Sequence, residues 1–222
     1  MCFYFVFLKF FIVLRILIRL NLKSQTNFTK LCYNKNMKNF KFKIGTNKEV
    51  QTIKNLINQM YGVEYEVREC LEIAKAIENK TEIYVLAYDE EKCIGFSGAS
   101  LNNNYYADVI TSDVAVIDYI YTDEKSRNVG VSFELISKLL KELVNMGVRK
   151  AIMQVQTFNK QRFFHYALSN KNIIKSTPQE NNGKSYDDQI LLIEDLNKIA
   201  NMSIRQLMIK AHKYSAEEKV GD

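Results

Sequence analysis

Arg127, Gly130 and Ser132 stand close together in the run Ile120-Tyr-Thr-Asp-Glu-Lys-Ser-Arg-Asn-Val-Gly-Val-Ser132. A guanidinium, a glycine and a small hydroxyl residue at this spacing are the parts of an anion site. The glycine allows a tight turn, and the N–H groups that follow it are left to bind a phosphate. Asp118 stands two residues before Ile120, and Asn159 and Tyr166 lie seven residues apart further on. By type alone a carboxylate can accept a proton, an amide can hydrogen-bond and a phenol can donate a proton.

These residues need elements to hold them. Val114-Ala-Val-Ile-Asp-Tyr-Ile-Tyr121 alternates and reads as a strand. After the loop, Leu135, Ile136, Leu139, Leu140, Leu143 and Met146 form the stripe of an amphipathic helix that stops at Gly147. A strand from Lys150 to Val155 and a short helix from about Asn159 to Leu168 follow. The order strand, loop, helix directs the loop amides and the positive helix end at one spot.

On these residues the chain resembles the GNAT acetyltransferases. Arg127-Asn-Val-Gly130-Val-Ser132 is similar to the family's R-x-x-G-x-G/A signature, with Ser132 in place of the second small residue. Asn159 and Tyr166 resemble its N-x-x-A-x-x-x-Y element, with Arg162 where a small residue is usual. The resemblance covers roughly Phe40 to Glu194. It implies an α/β fold, a mixed and mostly antiparallel sheet flanked by helices, here with a short helical C-terminal extension. It also implies acetyl-CoA as co-substrate and a primary amine, small molecule or peptide, as acceptor. The pyrophosphate would lie on the amides around Arg127, Asn128, Val129, Gly130, Val131 and Ser132, and the pantetheine arm along the backbone of Ile120 and Thr122. Asn159 would hold the arm or the loop, and Tyr166 would protonate the departing sulfur.

An alkyl amine of pKa about 10.4 is neutral in about one molecule in a thousand near pH 7.4, a handicap of about 4 kcal/mol. Asp118 is the candidate base, and a structural acid paired with a lysine is its alternative. The resemblance makes the first two helices and the segment between them one wall of the acceptor site. Glu64 and Glu66 there are candidates for meeting a cationic amine, and are equally readable as surface acids. His165 cannot face the same point as Tyr166, because adjacent helical residues point about 100° apart. Catalysis by direct attack in a ternary complex is one reading; a GNAT-shaped acyl-CoA sensor without turnover is the other.

Composition limits the partners. Of 31 basic residues six lie in residues 1–36, which hold no acid, so 25 remain against 25 acids. The net charge of +6 is therefore carried by the N-terminal segment, and the neutral remainder offers no stripe for nucleic acid. Cys2, Cys32, Cys70 and Cys93 show no metal-ligand spacing, so no metal is expected and the compartment reads as reducing and cytoplasmic. Residues 1–36 resemble translated upstream sequence of an A/T-rich genome. A membrane or interfacial anchor is the alternative, although Lys9 and Arg15 break the apolar run. The expected organisation is an extension over 1–36, the acetyltransferase-like domain over 37–194 and a C-terminal helix and tail over 195–222, the tail disordered from Lys213. Monomer and homodimer are both open.

Two further helices and two strand pairs are expected. Thr46-x-x-Glu49 is a capping box that starts a helix through Val50, Ile53, Ile57 and Met60, and a second helix spans about Val67 to Ile77. Thr81–Tyr88 and Cys93–Leu101 form a hairpin, and Asn172–Ser176 pairs with Tyr186–Ile193 across a turn carrying Pro178 and Gly183.

Overall fold

A computed structural model describes residues 40–61, 69–101, 113–127, 129–159, 162–181 and 183–218. Seven strands form one sheet in the order β1-β2-β3-β4-β5-β7-β6. They are β1 (Phe40–Ile44), β2 (Glu82–Asp89), β3 (Lys92–Ser100), β4 (Val114–Thr122), β5 (Lys150–Gln156), β6 (Ile173–Asn181) and β7 (Lys184–Ile193). Only β4 and β5 run parallel; every other pair is antiparallel. The described helices are α1 (Val50–Tyr61), α2 (Cys70–Glu78), α3 (Val131–Asn145), α4 (Arg162–Ser169), α5 (Leu196–Ala200) and α6 (Ile204–Glu218). This is the mixed, mostly antiparallel sheet with flanking helices that the sequence implies.

The core lies in two layers, one on each sheet face. Leu135, Ile136, Leu139, Leu140 and Leu143 of α3 are fully buried against Val85, Ala87, Ala115, Ile117, Ala151 and Met153. On the opposite face Ile53, Leu56 and Ile57 of α1 and Ile73 of α2 pack on Tyr84, Leu86 and Phe96. On β2 the two layers take alternate residues, as a strand covered on both faces must. Truncating any of the α3 leucines to alanine should cost about 2–5 kcal/mol.

The helix ends are built as their sequences suggest. The Thr46 hydroxyl and the Glu49 carboxylate make a reciprocal capping box ahead of α1. α3 starts at Gly130 and closes in a Schellman motif. The Gly147 N–H donates to the Val144 carbonyl and the Val148 N–H to that of Leu143, with Gly147 at φ 87°. Gln206 and Ser203 cap α6 in the same reciprocal way as Thr46 and Glu49.

Some boundaries differ from the sequence reading. α2 starts at Cys70, with residues 62–68 outside the described set, and α4 starts at Arg162. β6 runs on through Pro178 to Asn181, where a turn was expected. Proline is tolerated there because β6 is the last strand of the sheet and needs no donor on its outer side. A short helix, α5, capped by the Asp195 side chain, escaped notice. The stretch from Lys213 to Glu218, expected as disordered tail, is helical.

Two irregularities shape the site. Gly98 pairs with Tyr119 but Ala99 pairs with Ile117, so Asp118 is one extra residue in β4, a bulge. Side-chain parity shifts there. Ala115 and Ile117 before the bulge and Ile120 after it all face α3, whereas Tyr119 and Tyr121 face α1 and α2. The second irregularity is a divergence: the β4–β5 ladder ends at Ile117–Met153, yet β4 continues to Thr122 and β5 to Gln156.

Candidate active site

The divergence leaves a backbone edge facing the gap. The Asp123 N–H donates to the Ile94 carbonyl at 2.8 Å. Antiparallel partners alternate between hydrogen-bonded and non-bonded pairs, so Ile120 and Thr122, opposite Ser97 and Gly95, direct their N–H and C=O groups away from β3. That direction is towards the opening beside β5. It is the backbone orientation required for an extended ligand to pair with the strand.

Beyond Thr122 comes a turn of 3₁₀-helix, Glu124–Ser126, then Arg127 and the start of α3. Nε of Arg127 donates to the Thr122 carbonyl at 3.1 Å, and its Nη1 lies 3.4 Å from Glu124 Oε1. Gly130 occupies the helix N-cap at φ 94°, a left-handed conformation that side chains oppose. Lacking a side chain, it cannot cap the helix itself, so the first N–H groups of α3 are available in character to an anion. The hydroxyls of Thr122 and Ser132 lie 3.3 Å apart. Ser97, fully buried on β3, donates to the Leu135 carbonyl at 3.1 Å and pins the first turns of α3 to the sheet.

A cavity of about 500 Å³ joins these parts to the end of α1. It is lined by Ile120, Tyr121, Thr122, Glu124, Arg127 and Ser132 on one side and by Gln59 and Met60 on the other. The resemblance made this helix a wall of the site but singled out neither Gln59 nor Met60 for it. The α1 stripe had marked Met60 only as a core residue, and nothing in spacing shows which end of a helix meets a loop far along the chain.

Asp118 projects on the α1 and α2 side, close enough to Tyr61 for its charge to act there. Burial first, and the Asp118 carboxylate second, raise the Tyr61 phenol above its ordinary range. The Tyr61 ring meets Tyr119 edge-on at 6.3 Å, and Tyr119 in turn stacks on Tyr84 at 6.1 Å. Gly98 makes room for this aromatic wall, because a Cβ there would lie 2.8 Å from the Tyr84 ring. On the same sheet face Asp188 of β7 keeps one buried carboxylate oxygen with no hydrogen-bond partner.

Tyr166 stands elsewhere. It is 4% exposed, and its hydroxyl donates to Oε1 of Gln189 on β7 at 2.8 Å. Burial raises its phenol; Arg162 opposes that rise, and Glu218 and Asp187 add to it. Neither Tyr166 nor Asn159 is among the residues lining the cavity. Gln189, the partner of the phenol, went unnoticed because no periodicity reveals which strand residue a helix will meet. His165 places its ring edge-on to Phe164 at 5.9 Å. Asn128, Glu64 and Glu66 lie outside the described residues. Cys70 and Cys93 are free thiols on α2 and β3, and burial raises that of Cys93. Among the described residues no cluster of metal-ligating side chains occurs, and no helix is long and apolar enough to cross a membrane.

Comparison with known proteins agrees with this geometry. No curated protein matches the chain in sequence. Solved structures do match in fold. An N-acetyltransferase from Staphylococcus aureus Mu50 aligns with a TM-score of 0.57 at 14% identity, over 72% of this chain and 99% of that one. YncA from Salmonella typhimurium, with its cofactor acetyl-CoA, aligns at 0.55 and 11% identity, over 70% and 94%. A spermidine N-acetyltransferase chimera from Vibrio cholerae and hSSAT aligns at 0.51 and 16%, over 74% and 99%. The model of the Acetyltransferase (GNAT) family matches residues 50–166. The stretch contains α1, the diverging strands, the Gly130 turn and Tyr166, and by it the chain belongs to the GNAT acetyltransferase family.

Proposed function

We propose that the protein is an N-acetyltransferase that moves an acetyl group from acetyl-CoA to a primary amine by direct attack in a ternary complex. The observation that carries this reading is the opened β4 edge leading into the Gly130 turn. The outward-facing backbone of Ile120 and Thr122 and a helix N-terminus lie in line, which suits an extended arm ending in a pyrophosphate.

Acetyl-CoA, when bound, supplies an acetyl thioester already activated for transfer. The chain supplies the rest. The N–H groups around Gly130 to Ser132, with Arg127 beside them, hold the pyrophosphate, and Ile120 and Thr122 align the arm. Asn128 and Asn159 add polar contacts at either end. Asp118 is displaced by its bulge onto the acceptor face, where it takes the proton of the incoming ammonium, directly or through water. The wall of Tyr61 and Tyr119 beside it suits a cation, and Asp188, Glu64 and Glu66 supply further negative charge for an amine. Tyr166 provides a proton for the departing sulfur once its hydroxyl leaves Gln189. The free thiols of Cys70 and Cys93 support a reducing, cytoplasmic setting, and neither lines the cavity to act as an acyl carrier.

One observation favours a second reading, that of an acyl-CoA sensor: the Tyr166 proton is already engaged by Gln189. Calorimetry with coenzyme A, followed by mass spectrometry of an amine panel incubated with acetyl-CoA, tests both. Binding with acetylated product, reduced strongly in Asp118→Asn, supports the enzyme. Binding without any product would favour the sensor, and no binding would remove both.

A further inference from the structure

The C-terminal helix α6 lies along α4 and grips it at three places. Lys210, Tyr214 and Glu218 are four residues apart and so share one stripe of α6. Nζ of Lys210 donates to the Ala167 carbonyl at 3.2 Å and to the Asn170 side-chain oxygen, at the C-terminal end of α4. The Tyr214 ring meets Tyr166 edge-on at 6.1 Å, in the middle. The Glu218 carboxylate pairs with the Arg162 guanidinium at the N-terminal end. The two helices therefore run antiparallel, with each charge of α6 placed at the α4 end of opposite partial charge.

Arg162 carries the grip one step further. Its Nη1 donates to the Asn159 carbonyl at 3.2 Å, which also accepts the Arg162 backbone N–H at 2.9 Å. Arg162 is only 16% exposed, so its fork is held between Glu218 on one side and the turn after β5 on the other. This explains why an arginine stands where the family usually has a small residue. An eight-residue helix has little stability of its own and takes its position from what packs on it. The family match ends at Tyr166, and all three gripping residues lie beyond it.

We infer that α6 is a clamp that positions α4 and the Asn159 corner for coenzyme binding, with Lys210, Tyr214 and Glu218 as positioning residues acting through Ala167, Tyr166 and Arg162. The inference rests on the acetyl-CoA reading for its functional part. On it, the C-terminal extension is a working part of the donor site.

The test uses the full chain and the variant Glu218→Ala, with coenzyme A as the probe. Two quantities are measured: the Kd by calorimetry, and hydrogen exchange over residues 156–170. The expected result is a Kd about tenfold higher, the size of one lost charge-assisted contact. Faster exchange in 156–170 should accompany it, with β1 to β3 as in the parent. Glu218→Gln, which keeps the length and one acceptor oxygen, should show the same change in smaller measure, and it replaces the alanine variant should that fail to fold. Faster exchange with an unchanged Kd would make α6 a purely structural helix and overturn the inference, as would parent values of both. If the parent itself does not bind coenzyme A, the acetyl-CoA reading fails separately. Exchange then decides whether α6 clamps α4, with parent-like exchange overturning the clamp as well.

Discussion

The Arg127 guanidinium donates through Nε to the Thr122 carbonyl, five residues back, and so closes the loop between β4 and α3 onto the end of the strand. The side chain thus holds the loop's shape as well as bringing charge to the cavity. Arg127→Ala should lower coenzyme A affinity about tenfold or more, the range of one hydrogen bond to a charged group. Arg127→Lys should restore less than half of that loss in free energy, because a lysine brings a point charge without the planar fork. Calorimetry on both decides it; parent affinity in the alanine variant would mean that Arg127 is a surface residue.

Gly130 separates shape from charge. Its φ of 94° makes Gly130→Ala strained by about 1–2 kcal/mol, read as a lower Tm. Asparagine and aspartate enter this conformation more easily, so both variants should be more stable than the alanine one. Aspartate gains further from the helix N-terminus. Only aspartate puts a negative charge beside the pyrophosphate, so Gly130→Asp should abolish coenzyme A binding while Gly130→Asn retains a measurable part. Equal binding by the two would show that no anion sits at this turn.

Much of the fold was legible because it is written in local patterns. The capping box at Thr46, the stripe from Leu135 to Leu143 and the glycine at 147 each state an element boundary in a few residues. The tight glycine turn ahead of α3 was legible for the same reason. What escaped depends on long-range register. Asp118 was singled out for its chemistry, but the bulge that aims it appears only when β3 is laid beside β4. The Tyr166–Gln189 bond and the Arg162–Glu218 pair join residues 23 and 56 apart in sequence. Arg162 at a small-residue position was the one visible sign of the second.

Tyr166→Phe has two effects that are separable. Removing the hydroxyl leaves the buried Gln189 oxygen without this donor, which should cost about 1–3 kcal/mol of stability whatever the phenol does in catalysis. If the phenol also supplies the proton to sulfur, turnover should fall about 10²-fold or more with acetyl-CoA affinity nearly unchanged. Denaturation and steady-state kinetics on the same preparation distinguish them. A destabilised variant with parent turnover would confine Tyr166 to packing.

Glu49 predicts an acid-sensitive helix start. Burial pushes its carboxyl up, but the Thr46 hydroxyl, the Lys43 ammonium and the Thr46 N–H together outweigh this and hold it at about 2, below the ordinary 4.5. A depressed folded-state pKa adds stability above the unfolded value and loses it as pH falls through the folded one. The capping box should therefore contribute fully above about pH 4.5 and fade towards pH 2. Its worth is about 1 kcal/mol, typical of a good cap. Glu49→Gln should flatten that part of the stability curve, as measured by urea denaturation from pH 2 to 7. An unchanged curve would show that the box is not formed in solution.

The single extra residue at Asp118 divides β4 into two independently adjustable surfaces. Past the bulge, odd-numbered side chains belong to the aromatic wall and even-numbered ones to the α3 layer, while the donor edge is backbone and indifferent to side chains. On the proposed function, acceptor preference can therefore drift through substitutions at 119 and 121 while the backbone edge of Ile120 and Thr122 is kept. Deleting residue 118 would make the ladder regular from Ile117 to Tyr119, leaving the tyrosines on their wall and Ile120 on the α3 side while removing only the carboxylate.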